Sequence, residues 1–312
     1  MKKRLLAAAL AASLTLSMGV AMAAPVELDG AAMLHYRWDE PVTGGNTESA
    51  KGTFLLNAKT ALNETTDIYA RFATQRIHAG DSSADFKTTH YGDTVTTIDR
   101  YGVVLKGDNS TFNIGRQGAT IGATGLLYST EGYLGSYMGS IDGLNAAAKV
   151  GATDLGLIAG KENGTDNKVY GLHASFSPAE AWTLGGTLAK YDIEGSDATN
   201  YWALDAAYNH GKVGYFAEFA KSDANDANKA FVLGTSYALD EKNSLSAIYS
   251  KVEANGDMGA WTDFDPNGKG MYYSFNHKIN EDTTLNVFYK DMKTVDTNES
   301  YNSFRTTVSY KF

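Results

Sequence analysis

The chain has 312 residues, no cysteine, and 27 basic against 36 acidic side chains. An acidic balance disfavours nucleic acid as a partner, because a phosphate backbone is held by an excess of lysine and arginine. The lack of cysteine removes disulfides, thiol catalysis and cysteine metal sites together.

In chain order, residues 1–23 read as a cleaved signal peptide. Lys2, Lys3 and Arg4 form a charged start, Leu5 to Val20 is apolar and alanine-rich, and Ala21-Met22-Ala23 supplies a small-x-small cleavage site. Cleavage leaves 289 residues (312 − 23) beginning at Ala24. It takes away three bases and no acid, so 24 bases face 36 acids and the balance moves from −9 to −12. The remaining segment, 24–312, holds no apolar run long enough for a membrane helix.

Its apolar residues instead recur with period two, the period of a strand with one apolar and one polar face. Val26 to Trp38 places Leu28, Ala32, Leu34, Tyr36 and Trp38 on one face, with Glu27, Asp29, His35 and Arg37 on the other. Thr53 to Leu62 places Phe54, Leu56 and Ala58 opposite Asn57 and Lys59. Ile68, Ala70 and Phe72 oppose Tyr69, Arg71 and Gln75; Tyr101, Val103 and Leu105 oppose Arg100 and Gly102. Sixteen such segments of about ten residues follow one another, the length of a tilted membrane strand.

The connections alternate between short and long. Asn63-Glu-Thr-Thr66, Gly107-Asp-Asn-Ser110, Gly151-Ala-Thr153, Ser177-Pro-Ala-Glu180, Asn209-His-Gly-Lys212, Asp240-Glu-Lys-Asn243 and Asn280-Glu-Asp-Thr283 have tight-turn compositions. The third of the longer connections, 118–142, is apolar for a loop, with Ile121, Leu126, Leu127, Tyr128, Tyr133, Leu134, Tyr137, Met138 and Ile141 among many glycines. Such a loop needs a surface to pack on, and the inside of a barrel offers one. The last segment, Tyr301 to Phe312, sets Phe304, Thr306, Val308, Tyr310 and Phe312 against Arg305, Thr307, Ser309 and Lys311. Pairing it with the first strand closes the sheet and removes both edges.

These features together resemble the general (OmpC/OmpF-like) porins of Gram-negative bacteria, over the whole of 24–312. Phe112-Asn-Ile-Gly-Arg116-Gln resembles the Gly-Arg strand end before the family's long loop, and Tyr237-Ala-Leu-Asp-Glu-Lys-Asn-Ser-Leu245-Ser-Ala-Ile-Tyr249 resembles another stretch of it. It departs from the family at Asp240, Glu241 and Ser246. The terminal aromatic pair Tyr310 and Phe312 resembles the signal read by the barrel-assembly machinery.

The resemblance implies an all-β fold, a sixteen-stranded antiparallel transmembrane barrel with the third loop folded into the lumen. It further implies a homotrimer in outer-membrane lipid that passes small hydrophilic solutes and ions without a cofactor. By parity Arg37, Lys59, Arg71 and Arg100 face the inside of the barrel, and the resemblance implies that they and Arg116 line its constriction. The resemblance further implies that Glu131 faces them from the loop, along with Tyr128, Tyr133 and Tyr137. Arg116 falls on the outward parity, and a bulge at Gly115 would turn it inward as the family pattern asks. The alternatives are a substrate-selective porin, or a surface adhesin or receptor mounted on a barrel.

An enzyme needs a constellation, and none stands out. The six histidines are scattered, and neither Gly-x-Ser-x-Gly nor His-Glu-x-x-His occurs. Asp263, Asp265 and Asn267 match the first half of a calcium loop, but its twelfth position is Ser274 where the pattern wants glutamate.

Overall fold

The computed structural model describes residues 24–78, 94–131, 139–259, 262 and 264–312. The expectations for the signal peptide and for Tyr133, Tyr137 and Asp263 lie outside the described residues. The strands are β1 (Glu27–Glu40), β2 (Thr47–Asn63), β3 (Thr66–His78), β4 (Thr94–Gly107), β5 (Ser110–Gln117), β6 (Thr120–Ile121), β7 (Tyr128–Ser129), β8 (Ile141–Val150) and β9 (Thr153–Glu162). They continue with β10 (Lys168–Ala179), β11 (Trp182–Asp192), β12 (Thr199–His210), β13 (Val213–Ser222), β14 (Lys229–Ala238), β15 (Asn243–Val252), β16 (Gly268–Lys278), β17 (Thr283–Thr294) and β18 (Ser300–Lys311).

Sixteen of these form one closed antiparallel barrel, each paired with its neighbour in sequence, except that β5 pairs directly with β8. The two short strands β6 and β7 form a small hairpin inside the third long connection, a segment without a period-two pattern of its own. The tight turns all fall at one end and the longer connections at the other, the asymmetry expected of a membrane barrel.

Alternation sets the two faces. On the outer parity Leu34, Leu188 and Leu204 are 70%, 64% and 60% exposed, whereas their inner-parity neighbours Met33, Ala189 and Ala203 are buried. Large apolar side chains this exposed all round a closed sheet fit a hydrocarbon surround, not water. Aromatics border the band. Trp182 packs on Tyr208 beside the short turns at a ring separation of 4.9 Å, and Trp202 packs on Phe219 toward the long loops at 5.5 Å.

The ends of the chain close the barrel. β1 pairs with β18 over Ala31–Glu40, and past the last ladder residue the Gly30 and Phe312 backbones exchange hydrogen bonds of 3.0 and 3.2 Å. The Phe312 ring stacks on Phe54 at 5.6 Å and on Tyr310 at 6.1 Å, so the final aromatic covers the seam. Only glycine fits at Gly30, because a Cβ there would come within 2.3 Å of the Leu55 carbonyl and 2.5 Å of the Phe312 ring. Gly30→Val is therefore expected to abolish the compact, heat-modifiable band of refolded protein in cold electrophoresis. Gly45→Val, where a Cβ meets nothing within 4 Å, should leave that band intact.

Candidate pore-lining site

The expected basic wall divides into three parts. Arg71 on β3 and Arg100 on β4 are cross-strand partners, so they face each other on the inner side. The register slips beside them: Arg71 pairs with Arg100 but Phe72 pairs with Ile98, so Asp99 is the extra residue of a bulge. The bulge turns Asp99 inward next to Arg100. Arg71 grips it with two nitrogens, its Nε donating to Oδ1 at 2.9 Å. Arg100 instead reaches the long connection, donating to Glu131 Oε2 at 3.0 Å. Of the expected bases, Arg100 is the one joined to Glu131.

Lys59 sits nearer the short-turn mouth. It shares Asp67 with Lys106 on β4, at 2.9 and 2.7 Å, and both lysines are about half exposed. Arg37 lies toward the opposite mouth. It pairs in register with Ser49, whereas Arg71 pairs with Asn57, so the two levels are eight residues apart on β2. At ~3.3 Å per residue this is ~26 Å along the strand. Arg37 is held by Asp39 and faces Arg305 across the seam. Arg305 lies over the Phe288 ring at 5.4 Å, and Lys290 beside it donates to Asp265 Oδ2 at 2.6 Å. Arg305 and Lys290 are inward bases that the sequence reading did not single out, although Arg305 already stood on the polar parity of the last strand.

Arg116 does not turn inward. The β4–β5 register runs without a slip through Gly115, and Arg116 pairs with outward Tyr101, its guanidinium 5.4 Å from that ring. It makes two 2.7 Å bonds to Asp142, its partner on β8. The local bulge is at Asp99, not Gly115, because Asp99 gains a buried arginine by facing inward while Arg116 gains Asp142 by staying out.

The described part of the third connection, 118–131, packs on side chains of the inner parity. Leu126, Leu127 and Tyr128 are fully buried and Ile121 nearly so, in one cluster with Ile158, Val169, Tyr191, Ala220, Val232 and Ile248. Two polar anchors fix it. Glu218 on β13, itself fully buried, accepts bonds from the Thr124 amide at 2.8 Å and the Thr124 hydroxyl at 2.6 Å. Gly122, at φ +92°, lets the backbone pass the Glu218 carboxylate, which a Cβ would strike at 2.4 Å. Met258, on the connection between β15 and β16, donates its amide to the Leu127 carbonyl at 3.0 Å, so a second long connection is bonded to the third. Tyr128 lies 6.4 Å from Tyr191, whose hydroxyl donates to Glu162 at 3.1 Å.

Removing the Glu218 anchor should free this connection. Glu218→Ala strands the Thr124 donors, at a cost of roughly 2–4 kcal/mol, and should raise exchange of the Thr124 amide roughly 30-fold or more. Glu218→Gln keeps a carbonyl acceptor and should change it far less.

Asp265 and Asn267, two of the calcium candidates, serve other ends. Asp265 is tied to Lys290, and Asn267 takes a left-handed turn at φ 52°. Among the described residues no group of histidine, aspartate and glutamate side chains is placed to hold a metal ion.

No protein-family model matches the chain, and no curated protein matches it. Solved structures do. Salmonella typhi OmpF, in a complex with daunomycin, aligns over 93% of this chain and 100% of its own with a TM-score of 0.62 at 14% identity. A porin mutant of Rhodopseudomonas blastica aligns over 92% and 100%, with a TM-score of 0.62 at 12% identity. A loop-deletion mutant of OmpT, an outer membrane protein of Vibrio cholerae, aligns over 92% and 99%, with a TM-score of 0.61 at 13% identity. The chain thus shares the fold of these proteins, a sixteen-stranded closed barrel, at 12–14% sequence identity.

Proposed function

We propose that this protein is a general diffusion porin of a Gram-negative outer membrane, a passive water-filled channel for small hydrophilic solutes and ions. The observation that carries this reading is the pairing of an apolar outer face with an inner face that holds charged side chains at both mouths and midway, Arg37, Arg71, Arg100 and Lys59 among them. Charged side chains along a barrel interior, with Lys59 and Lys106 about half exposed, fit a lumen that water enters. In this reading the third connection lies in the lumen and narrows it, with Glu131 opposite Arg100 at the constriction. The protein supplies a size limit and an electric field, with no cofactor and no energy input.

The same reading makes residues 1–23 a cleaved export signal, and Tyr310 and Phe312 the pair met by the assembly machinery. It makes the protein a homotrimer that associates through its early strands. The outer parity of β2–β4 supports the last point: Gly52, Thr74, Arg76, Thr94 and Thr96 stand where lipid would call for apolar side chains, and Thr74 and Thr96 bond each other at 2.9 Å. A groove of about 400 Å³ runs over this face beside Leu34 and Phe54. A second copy of the barrel would cover it.

Purified, refolded protein in a planar bilayer tests the reading. Stepwise conductance in groups of three is expected. Silence from protein that migrates as a folded barrel would overturn the pore and leave the adhesin or receptor alternative.

A further inference from the structure

Beneath the third connection, between it and the wall formed by β8, β9 and β10, lies a cavity of about 260 Å³. It is lined by Gly118, Gly122, Glu131, Asn145, Gly156 and His173 among others. At ~30 Å³ per water it has room for roughly nine waters, the scale of one monosaccharide. Space exists there because the wall is glycine: a Cβ built on Gly156 meets nothing within 4 Å.

The charged groups in the lining are already paired. Glu131 is held by Arg100 at 3.0 Å, and the His173 Nε2 lies 3.0 Å from Asp205 Oδ2. Asn145 adds an amide that both donates and accepts, and Ala119, Ile121 and Ile158 add an apolar side. The cavity therefore offers several hydrogen-bonding groups beside an apolar surface, with little net charge. An ion entering it would lose water and gain no counter-charge, whereas a neutral polyhydroxyl solute would trade its waters for these groups.

We infer that this cavity is a binding niche for uncharged, monosaccharide-sized polyhydroxyl solutes. It sits in the lumen under the porin reading, on which the inference rests, and it makes the channel selective among neutral solutes. Binding is weak and reversible, since a pore must release what it admits.

Saturation-transfer NMR on the refolded, detergent-solubilised protein tests this with methyl glucopyranoside as the probe. It reads binding whether or not the barrel conducts. A saturable signal is expected from the wild type, larger than that given by gluconate or glucosamine. Gly156→Leu fills the niche from the wall and should reduce the signal at least about tenfold. Asn145→Ala should reduce it about fivefold by removing one hydrogen-bonding partner, and it carries the test alone if the leucine variant does not fold.

No signal from the folded wild type, an undiminished signal in the variants, or equal signals from the charged sugars would each overturn the inference. The same preparations go into bilayers. Conductance without a sugar signal removes the niche and keeps the pore; a sugar signal without conductance supports the niche and removes the pore.

Discussion

Replacing Arg71 and Arg100 together by glutamine is expected to move the reversal potential in a salt gradient toward cations. Replacing Asp99 and Glu131 by asparagine and glutamine is expected to move it toward anions. The four side chains form two ion pairs at one level of the wall, Arg71 with Asp99 and Arg100 with Glu131. Each double variant thus changes the local charge by two in opposite directions. At ~10 Å from the ion path, one charge in water is worth ~0.4 kcal/mol, so two amount to about 0.8 kcal/mol at low salt. Cations gain this energy while anions lose it, so the cation-to-anion permeability ratio changes by roughly fifteenfold, and screening at 0.1 M cuts the energy to roughly a third.

The shift should therefore be large at 10 mM salt and small at 0.1 M. Lys59→Gln, near the short-turn mouth, should shift the potential in the same direction as the arginine variant. Equal reversal potentials in the two double variants would show that these side chains do not face the ion path.

Much of this wall was legible in the sequence, for a physical reason. A half-buried strand alternates strictly, so Arg37, Lys59, Arg71 and Arg100 could be set on the inner face from parity alone. The sixteen strands, the short turns and the odd apolar third connection follow from the same periodicity and from turn chemistry. What parity does not carry is height.

Whether two inward bases stand level depends on register, and register across a barrel is set by every pairing between them. Arg37 and Arg71 therefore looked like neighbours and are ~26 Å apart along β2. Arg305 was visible as a polar-face residue, yet only closure of β1 on β18 brings it opposite Arg37. The bulge at Asp99 has no glycine to announce it. It exists because the inward position offers Asp99 the Arg71 guanidinium, a contact between strands that no local pattern encodes. Glu218 was likewise silent, being one polar residue on an inward parity that becomes an anchor only once Thr124, ninety-four positions away, lands on it.

The long connection bonded to the third carries the other large expectation. Asp257, on the connection between β15 and β16, is 3% exposed; its Oδ1 accepts the Gly259 amide at 3.0 Å and its Oδ2 has no partner among the described residues. Burial pushes its carboxyl up to about 7 from an ordinary value of 3.8, against the smaller opposing pull of the Gly259 amide.

The sign follows from proton binding. The packed loop holds a proton that the released loop gives up, so packing is fully stabilised below about pH 4. It weakens as pH climbs toward 7 and is flat above it. Between pH 4.5 and 7 the loss is about 3 kcal/mol at ~1.4 kcal/mol per pH unit. The amide of Met258, next in the chain and bonded to the Leu127 carbonyl, reports this packing. Its hydrogen-exchange protection, corrected for intrinsic rate, is expected to fall more than a hundredfold across that range. In Asp257→Asn, which is neutral at every pH, the protection should stay level. A parallel fall in the asparagine variant would assign the effect to some other group. A level profile in the wild type would mean that Asp257 ionises without leaving its place, and that the mouth of the barrel does not respond to pH through this loop.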